Sequence, residues 1–211
     1  MVLARWCLVV LGVLPGTASL GAVRPHALFT DHMVVQHGRE VTVHGWAEPG
    51  EKVVVDFAGH TARATTDAAG CWRASLPALD ACSEPREMVF RGADTVTVRD
   101  VLVGDVWLCS GQSNMSISAG HYSREPDVKQ DLASARFPLV RQFGVREHFA
   151  AAPQRDVLGE WLPCTPQNAG RFSAVGFYFA RDVHAATSVP IGIIRAAKGS
   201  TGIEMWLSQE T

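Results

Sequence analysis

Between residues 23 and 100, apolar and polar positions alternate over short stretches. Val41 to His44 does so, as do Val53, Val55 and Phe57 with Val54, Asp56 and Ala58. Met88 and Phe90 alternate with Val89 and Arg91, and Val96 and Val98 with Thr97 and Arg99. A period of two marks a half-buried strand. Turn chemistry separates these stretches at Glu48-Pro-Gly50, Ala58-Gly-His60, Asp67-Ala-Ala-Gly70 and Gly92-Ala-Asp94. Glycine, proline and aspartate reverse a chain at little cost. Short strands separated by such turns predict a β-sandwich over residues 23–100. Trp46 and Trp72 read as core anchors in preference to sugar platforms.

The pattern changes at residue 101. Val101-Leu-Val103 and Val106-Trp-Leu-Cys109 form an apolar strand that runs into Ser110-Gly-Gln-Ser-Asn-Met115. Residues 173–187 predict a helix, with Ser173 as N-cap and Val175, Phe179, Val183 and Ala186 on one face. Val189-Pro-Ile-Gly-Ile-Ile194 is nearly continuous in apolar character, as in strands covered on both faces. It runs into Lys198-Gly-Ser-Thr-Gly202, and a second helix is expected to start at Ile203. Strand, loop and helix, repeated, predict an α/β domain over 101–211. Residues 116–160 are polar and irregular and carry Pro126, Pro138 and Pro153; they read as a long loop or a set of short helices.

Composition narrows the function classes. Lys plus Arg number 19 against 21 Asp plus Glu, a net charge of −2, so no basic surface awaits a nucleic acid. Residues 1–22 read as a signal peptide: Arg5, an apolar run from Trp6 to Leu14, the breakers Pro15 and Gly16, then small residues. Cleavage fits after Ala18 or Ala22, and the expected destination is secreted or periplasmic. Cys7 lies inside the apolar run and not beside the cleavage site, so no lipid or membrane anchor is expected. An oxidising compartment permits disulfides among Cys71, Cys82, Cys109 and Cys164, with Cys71–Cys82 one candidate and free thiols the alternative. No Cys-x-x-Cys or His-Glu-x-x-His spacing occurs, so neither a metal nor a cofactor is called for.

Gly111-Gln-Ser-Asn-Met115 follows an apolar strand directly, and ligands of open α/β sheets bind beyond strand ends of this kind. Ser113 there can present its hydroxyl and its own N–H to one substrate atom, which nucleophilic catalysis needs together with an oxyanion hole. Gln112 and Asn114 could add donors. Lys198–Gly202 also sits at a strand end, where Gly199 lets backbone N–H groups approach a ligand. An ordinary turn is the competing reading of Ser113 and Asn114.

Gly104-Asp-Val-Trp-Leu-Cys-Ser-Gly-Gln-Ser-Asn-Met115 resembles the nucleophile block of the sialate O-acetylesterases, a branch of the SGNH hydrolases. Four further blocks resemble that family in order: residues 28–36, 45–53, 172–181, and 189–194 with 199–206. The resemblance implies an N-terminal β-sandwich followed by a three-layer α/β/α domain, incomplete here. It implies that Ser113 attacks an acetyl ester of a sugar, forms an acetyl-enzyme, and gives up acetate to water. Ser113 N–H and Gly199 N–H are the implied oxyanion donors, with Gln112 or Asn114 a third. Thr201, Glu204 and Trp206 would shape the substrate pocket, a structural role for Glu204 and Trp206 being the alternative. One position departs: the family's usual Gly-Gly-Thr has Ser200 as its second residue.

A serine nucleophile needs a base, and in this family an Asp-x-x-His supplies it together with its orienting acid. None of the eight histidines (26, 32, 37, 44, 60, 121, 148, 184) has an aspartate three positions before it. Asp182 and His184, two apart on a helix, point away from each other, and His184 reads as a surface residue. His121 is the one improvised base near Ser113 in sequence. The other histidines of the β-region read as loop or strand-face residues. The chain therefore reads as an N-terminal portion, its partners being an O-acetylated sugar and a C-terminal half supplied separately. A non-catalytic carbohydrate-binding or scaffold fragment is the competing reading. A lipase or protease is weaker, since no Gly-x-Ser-x-Gly surrounds Ser113.

Overall fold

A computed structural model describes residues 22–207, so the signal-peptide reading falls almost wholly outside the described residues. The alternating stretches form β1 (Arg24–Pro25), β2 (Val34–Gln36), β3 (Val41–Trp46), β4 (Lys52–Phe57), β5 (His60–Thr65), β6 (Cys71–Leu76) and β7 (Cys82–Arg91). β8 (Thr95–Gly111) follows, then α1 (Ser113–Ser116), α2 (Pro126–Ser134), β9 (Phe137–Val145), β10 (Gly159–Cys164), α3 (Ala174–Thr187) and β11 (Ile191–Ala197). The fold is mixed α/β. One sheet has the order β1-β3-β6; the other runs β10-β9-β11-β8-β7-β4-β5, with β2 paired to β8.

Alternation does its work in the first half. Val41 and Val43 of β3 and Trp72, Ala74 and Leu76 of β6 share one core with Val53, Val55 and Phe57 of β4 and Met88 and Phe90 of β7. Burying each such large side chain contributes roughly 1.5–3 kcal/mol. Trp72 is an anchor of that core, as expected. Trp46 is half-buried, with the Arg24 guanidinium 4.2 Å above its ring and His26 stacked on it.

β8 is a single strand that spans the two regions. Thr95–Val98 pair antiparallel with β7, whereas Asp105–Gly111 pair parallel with β11. Between them Asp100 takes φ +57°, a left-handed residue that bends the strand. Its carboxylate accepts from Arg141 Nη2 at 2.8 Å and lies 2.6 Å from His32 Nδ1, and Arg141 Nη1 also donates to the Asp100 carbonyl.

The apolar run at 189–194 supplies β11, parallel to both β8 and β9, as that composition predicts. α3 lies over it with Ser173 as N-cap, its Oγ accepting from Gly176 N. The face that α3 buries is a correction to the sequence reading. Gly176, Phe177 and Ala180 are buried, while Val175 and Phe179 are 45% and 37% exposed. The small residues decide it: a Cβ on Gly176 would already stand 3.3 Å from Ile193 Cγ2, so the helix meets the sheet through Gly176 and Ala180. His184 is also corrected from a surface role. It is half-buried, and its Nδ1 donates to the Val189 carbonyl at 2.7 Å, closing the turn after the left-handed Ser188.

Residues 116–160 hold β9 and the start of β10, beyond the loop or short helices expected. Buried Arg141 and Gln142 interrupt the apolar signal of β9. The helix expected at Ile203 is one 3-10 turn, Ile203–Trp206. Cys71, Cys82, Cys109 and Cys164 are all free thiols, so the Cys71–Cys82 candidate is not formed. Burial raises the Cys109 thiol and pushes that of Cys164 up to about 12. Among the described residues no helix is long and apolar enough to cross a membrane.

Candidate active site

The parallel strands β8 and β11 end side by side, and their loops meet. Gly111, at φ +122°, turns the chain out of β8 in a conformation that a side chain resists. Gln112 then caps α1, its Oε1 accepting from Ser113 N and from Ser113 Oγ, each at 3.2 Å. The turn is closed by Ile117 N to the Ser113 carbonyl at 2.9 Å, and tied to α3 by Ala174 N to the Ile117 carbonyl at 2.9 Å.

The second loop is pinned to the first by Lys198 N, which donates to the Gly111 carbonyl at 2.9 Å. Gly199 follows, and a Cβ there would stand 3.4 Å from Ser113 Oγ and 3.7 Å from Ser116 Oγ. The Gly199 N–H has no protein acceptor among the described residues. Ser200 adopts φ +62°, so the position where this chain departs from Gly-Gly-Thr is one that favours glycine. Thr201 Oγ1 donates to the Lys198 carbonyl at 2.8 Å and accepts from Trp206 Nε1 at 2.9 Å, which fixes the indole over the loop.

Next to these loops lies an open hollow of about 400 Å³, lined by Ser110, Gly111, Gln112, Thr201, Ile203 and Trp206. Thr201 and Trp206 also line an adjoining hollow of about 290 Å³, with Val145, Arg146, His148, Phe149, Lys198 and Met205 around it. Lys198 Nζ is paired with Glu147.

The expected site residues divide. Ser113, Gly199, Gln112, Thr201 and Trp206 come together. In this arrangement Gln112 presents its amide oxygen to Ser113 and accepts from it. Asn114 is exposed on α1, and its side chain makes no hydrogen bond among the described residues. Glu204 is exposed and lines neither hollow; its carboxylate folds back over Gly202. His121 is exposed, edge-on to Tyr122 with ring centroids 5.1 Å apart, and is not bonded to Ser113. Among the described residues no histidine or carboxylate hydrogen-bonds Ser113 Oγ.

Sequence reasoning missed three contributors, Arg146, His148 and Phe149, which line the adjoining hollow. No local spacing marks them, since β9 and the loop after it bring them there. It also missed that His26, His32 and His37 face Asp156, Asp100 and Asp105. Those pairs are separated by 68 to 130 residues and leave no local pattern.

Comparison with known proteins bears on the same residues. The model of the family described as carbohydrate esterase, sialic acid-specific acetylesterase, matches residues 103–211. The sialate O-acetylesterase of Mus musculus is 36% identical over 126 residues, 56% of this chain and 23% of that protein. The sialate O-acetylesterase of Homo sapiens is 35% identical over 123 residues, 54% of this chain and 23% of that protein. A crystal structure of a carbohydrate acetylesterase from Xanthomonas citri superposes with a TM-score of 0.83 at 37% identity, covering 90% of this chain and 43% of that one. The chain thus spans less than half the length of the relatives it matches.

Proposed function

This chain belongs to the sialic acid-specific acetylesterase family of carbohydrate esterases, and from that premise we propose that it carries the nucleophile of a hydrolase that removes O-acetyl groups from sialic acids or other acetylated sugars. The observation that carries the proposal is the approach of Gly199 to Ser113 Oγ across two loops at the ends of parallel strands. In this reading Ser113 Oγ attacks the ester carbonyl carbon and the sugar oxygen leaves with a proton. Water then attacks the acetyl-enzyme, releasing acetate and restoring the hydroxyl. The N–H groups of Ser113 and Gly199 receive the oxyanion, each such donor typically contributing about 3 kcal/mol. Ser113 N–H must leave Gln112 Oε1 to do so, a swing of one exposed side chain. Asn114, exposed on the same turn, is the candidate third donor. Trp206, held by Thr201, walls the acyl pocket, and the adjoining hollow faces the sugar; Glu204 has a supporting role at the 3-10 turn.

The finer fold reading belongs to the same proposal: a β-sandwich over 23–100 and SGNH-type layers from 101. The shared core of the two sheets and α3 lying on parallel strands support it. Export through residues 1–22 is proposed on the sequence alone.

A non-catalytic carbohydrate-binding or scaffold role is the second reading, favoured by the lack of a base bonded to Ser113 among the described residues. Hydrolysis of p-nitrophenyl acetate by the chain and by Ser113→Ala separates the two. The proposal expects the alanine variant to be slower by at least about a hundredfold. Equal rates would leave the binding reading.

A further inference from the structure

The structure assigns a positioning role to Arg195. On β11, Arg195 stands opposite Cys109 of β8 and Gly144 of β9, on the strand face that also carries the buried Ile191 and Ile193. Arg195 is half-buried, against the strand face whose Ile191 and Ile193 belong to the apolar core. Among the described residues no carboxylate lies within ion-pair distance of its guanidinium. Its Nη1 donates to the Ser116 carbonyl at 3.0 Å, and its Nε is buried without a partner. An ionised group in such a corner is costly unless it is well satisfied. A methionine of similar length would fill the same space without that cost. The guanidinium therefore does not earn its place by packing.

What it touches explains it. Ser116 ends the four-residue turn that begins at Ser113. The Ser113 carbonyl is taken by Ile117 N and Ser116 Oγ. The Ser116 carbonyl is taken by Arg195, from the strand whose next loop carries Gly199. One side chain thus links the nucleophile turn to the element that positions the second oxyanion donor. Loss of that tie frees the turn to shift relative to Gly199, and a displacement near 1 Å at a reacting group is enough to slow a reaction severely. The inference rests on Ser113 being the nucleophile.

The test compares Arg195→Met and Arg195→Lys with the unaltered 211-residue chain. Amide hydrogen exchange at Met115, Ser116 and Ile117, whose N–H groups close the turn, is read beside that of α3. In Arg195→Met the expected result is exchange on the order of tenfold faster at those three amides alone, with α3 and the melting midpoint unchanged or higher. Ester turnover is expected to fall by roughly ten- to a hundredfold at unchanged KM, and Arg195→Lys to recover most of it. Unchanged exchange at the three amides overturns the assignment. So does a loss of protection spread through α3, which would make Arg195 a general structural residue. If the unaltered chain shows no Ser113-dependent turnover, the esterase reading fails, while the exchange data still decide whether Arg195 holds the turn.

Discussion

Ser200 lies in the left-handed region at φ +62°, one residue beyond the glycine that faces Ser113 Oγ. A Cβ in that region crowds the backbone, at a cost of roughly 1–2 kcal/mol. The sequence marks the position as a departure from Gly-Gly-Thr, but backbone geometry is needed to show that it demands positive φ. Replacing Ser200 with glycine relieves the crowding and adds some chain entropy to the unfolded state. The net expectation is a gain of about 0.5–1 kcal/mol, about 1–4 °C in melting midpoint. Differential scanning calorimetry of Ser200→Gly reads it, and a lower midpoint would show that the serine is accommodated without strain. Legibility at this scale follows what a residue depends on. Ser113, Gly199, Thr201 and Trp206 sit in contiguous motifs and were readable. His148 and Phe149 reach the site only through the path of β9.

The element that joins the molecule is β8, which changes partners between Val103 and Asp105. Residues 95–98 pair antiparallel with β7, and residues 105–111 parallel with β11. Alternation does not foretell this, because each half of the strand looks like a separate element on either side of an aspartate. Nor does it show β9, whose buried Arg141 breaks the apolar run in order to hold the bend. The helix face was misread for a related reason: periodicity finds an apolar stripe, and small residues choose the contact. Burial raises the Asp100 carboxyl, but hydrogen bonds from His32 and Arg141, with their charges, hold it below its ordinary 3.8. The linkage sign follows: this stabilisation is complete above the unfolded value and is lost as pH falls through the lower folded one. Asn tolerates positive φ, so Asp100→Asn keeps the bend and removes the charge facing a buried guanidinium. The variant is expected to lose about 2–4 kcal/mol at pH 7. Its deficit relative to the unaltered chain should shrink below pH 3.8. Urea titrations at neutral and acid pH measure both, and a pH-independent deficit would place the loss in packing instead.

At the scale of the whole molecule, apolar surface gathers where β8 meets the flank of α3. Trp107 and Phe179 pack edge to face at 5.0 Å, Val175 lies on the same helix, and Leu108, on the opposite face of β8, is 67% exposed. From Trp107 onward β8 has β11 on one side, and among the described residues no strand pairs with its other side. An exposed edge carrying large apolar side chains invites pairing with another chain, and natural edges are commonly blunted by lysine. The chain is therefore expected to self-associate at concentrations on the order of tens of micromolar. Leu108→Lys should shift it toward monomer, as read by sedimentation velocity. Leu108 is mostly in solvent, so the melting midpoint should move by no more than about 2 °C. A monomeric unaltered chain with one cooperative thermal transition would overturn this expectation, and would show that the Trp107–Phe179 contact protects the edge by itself.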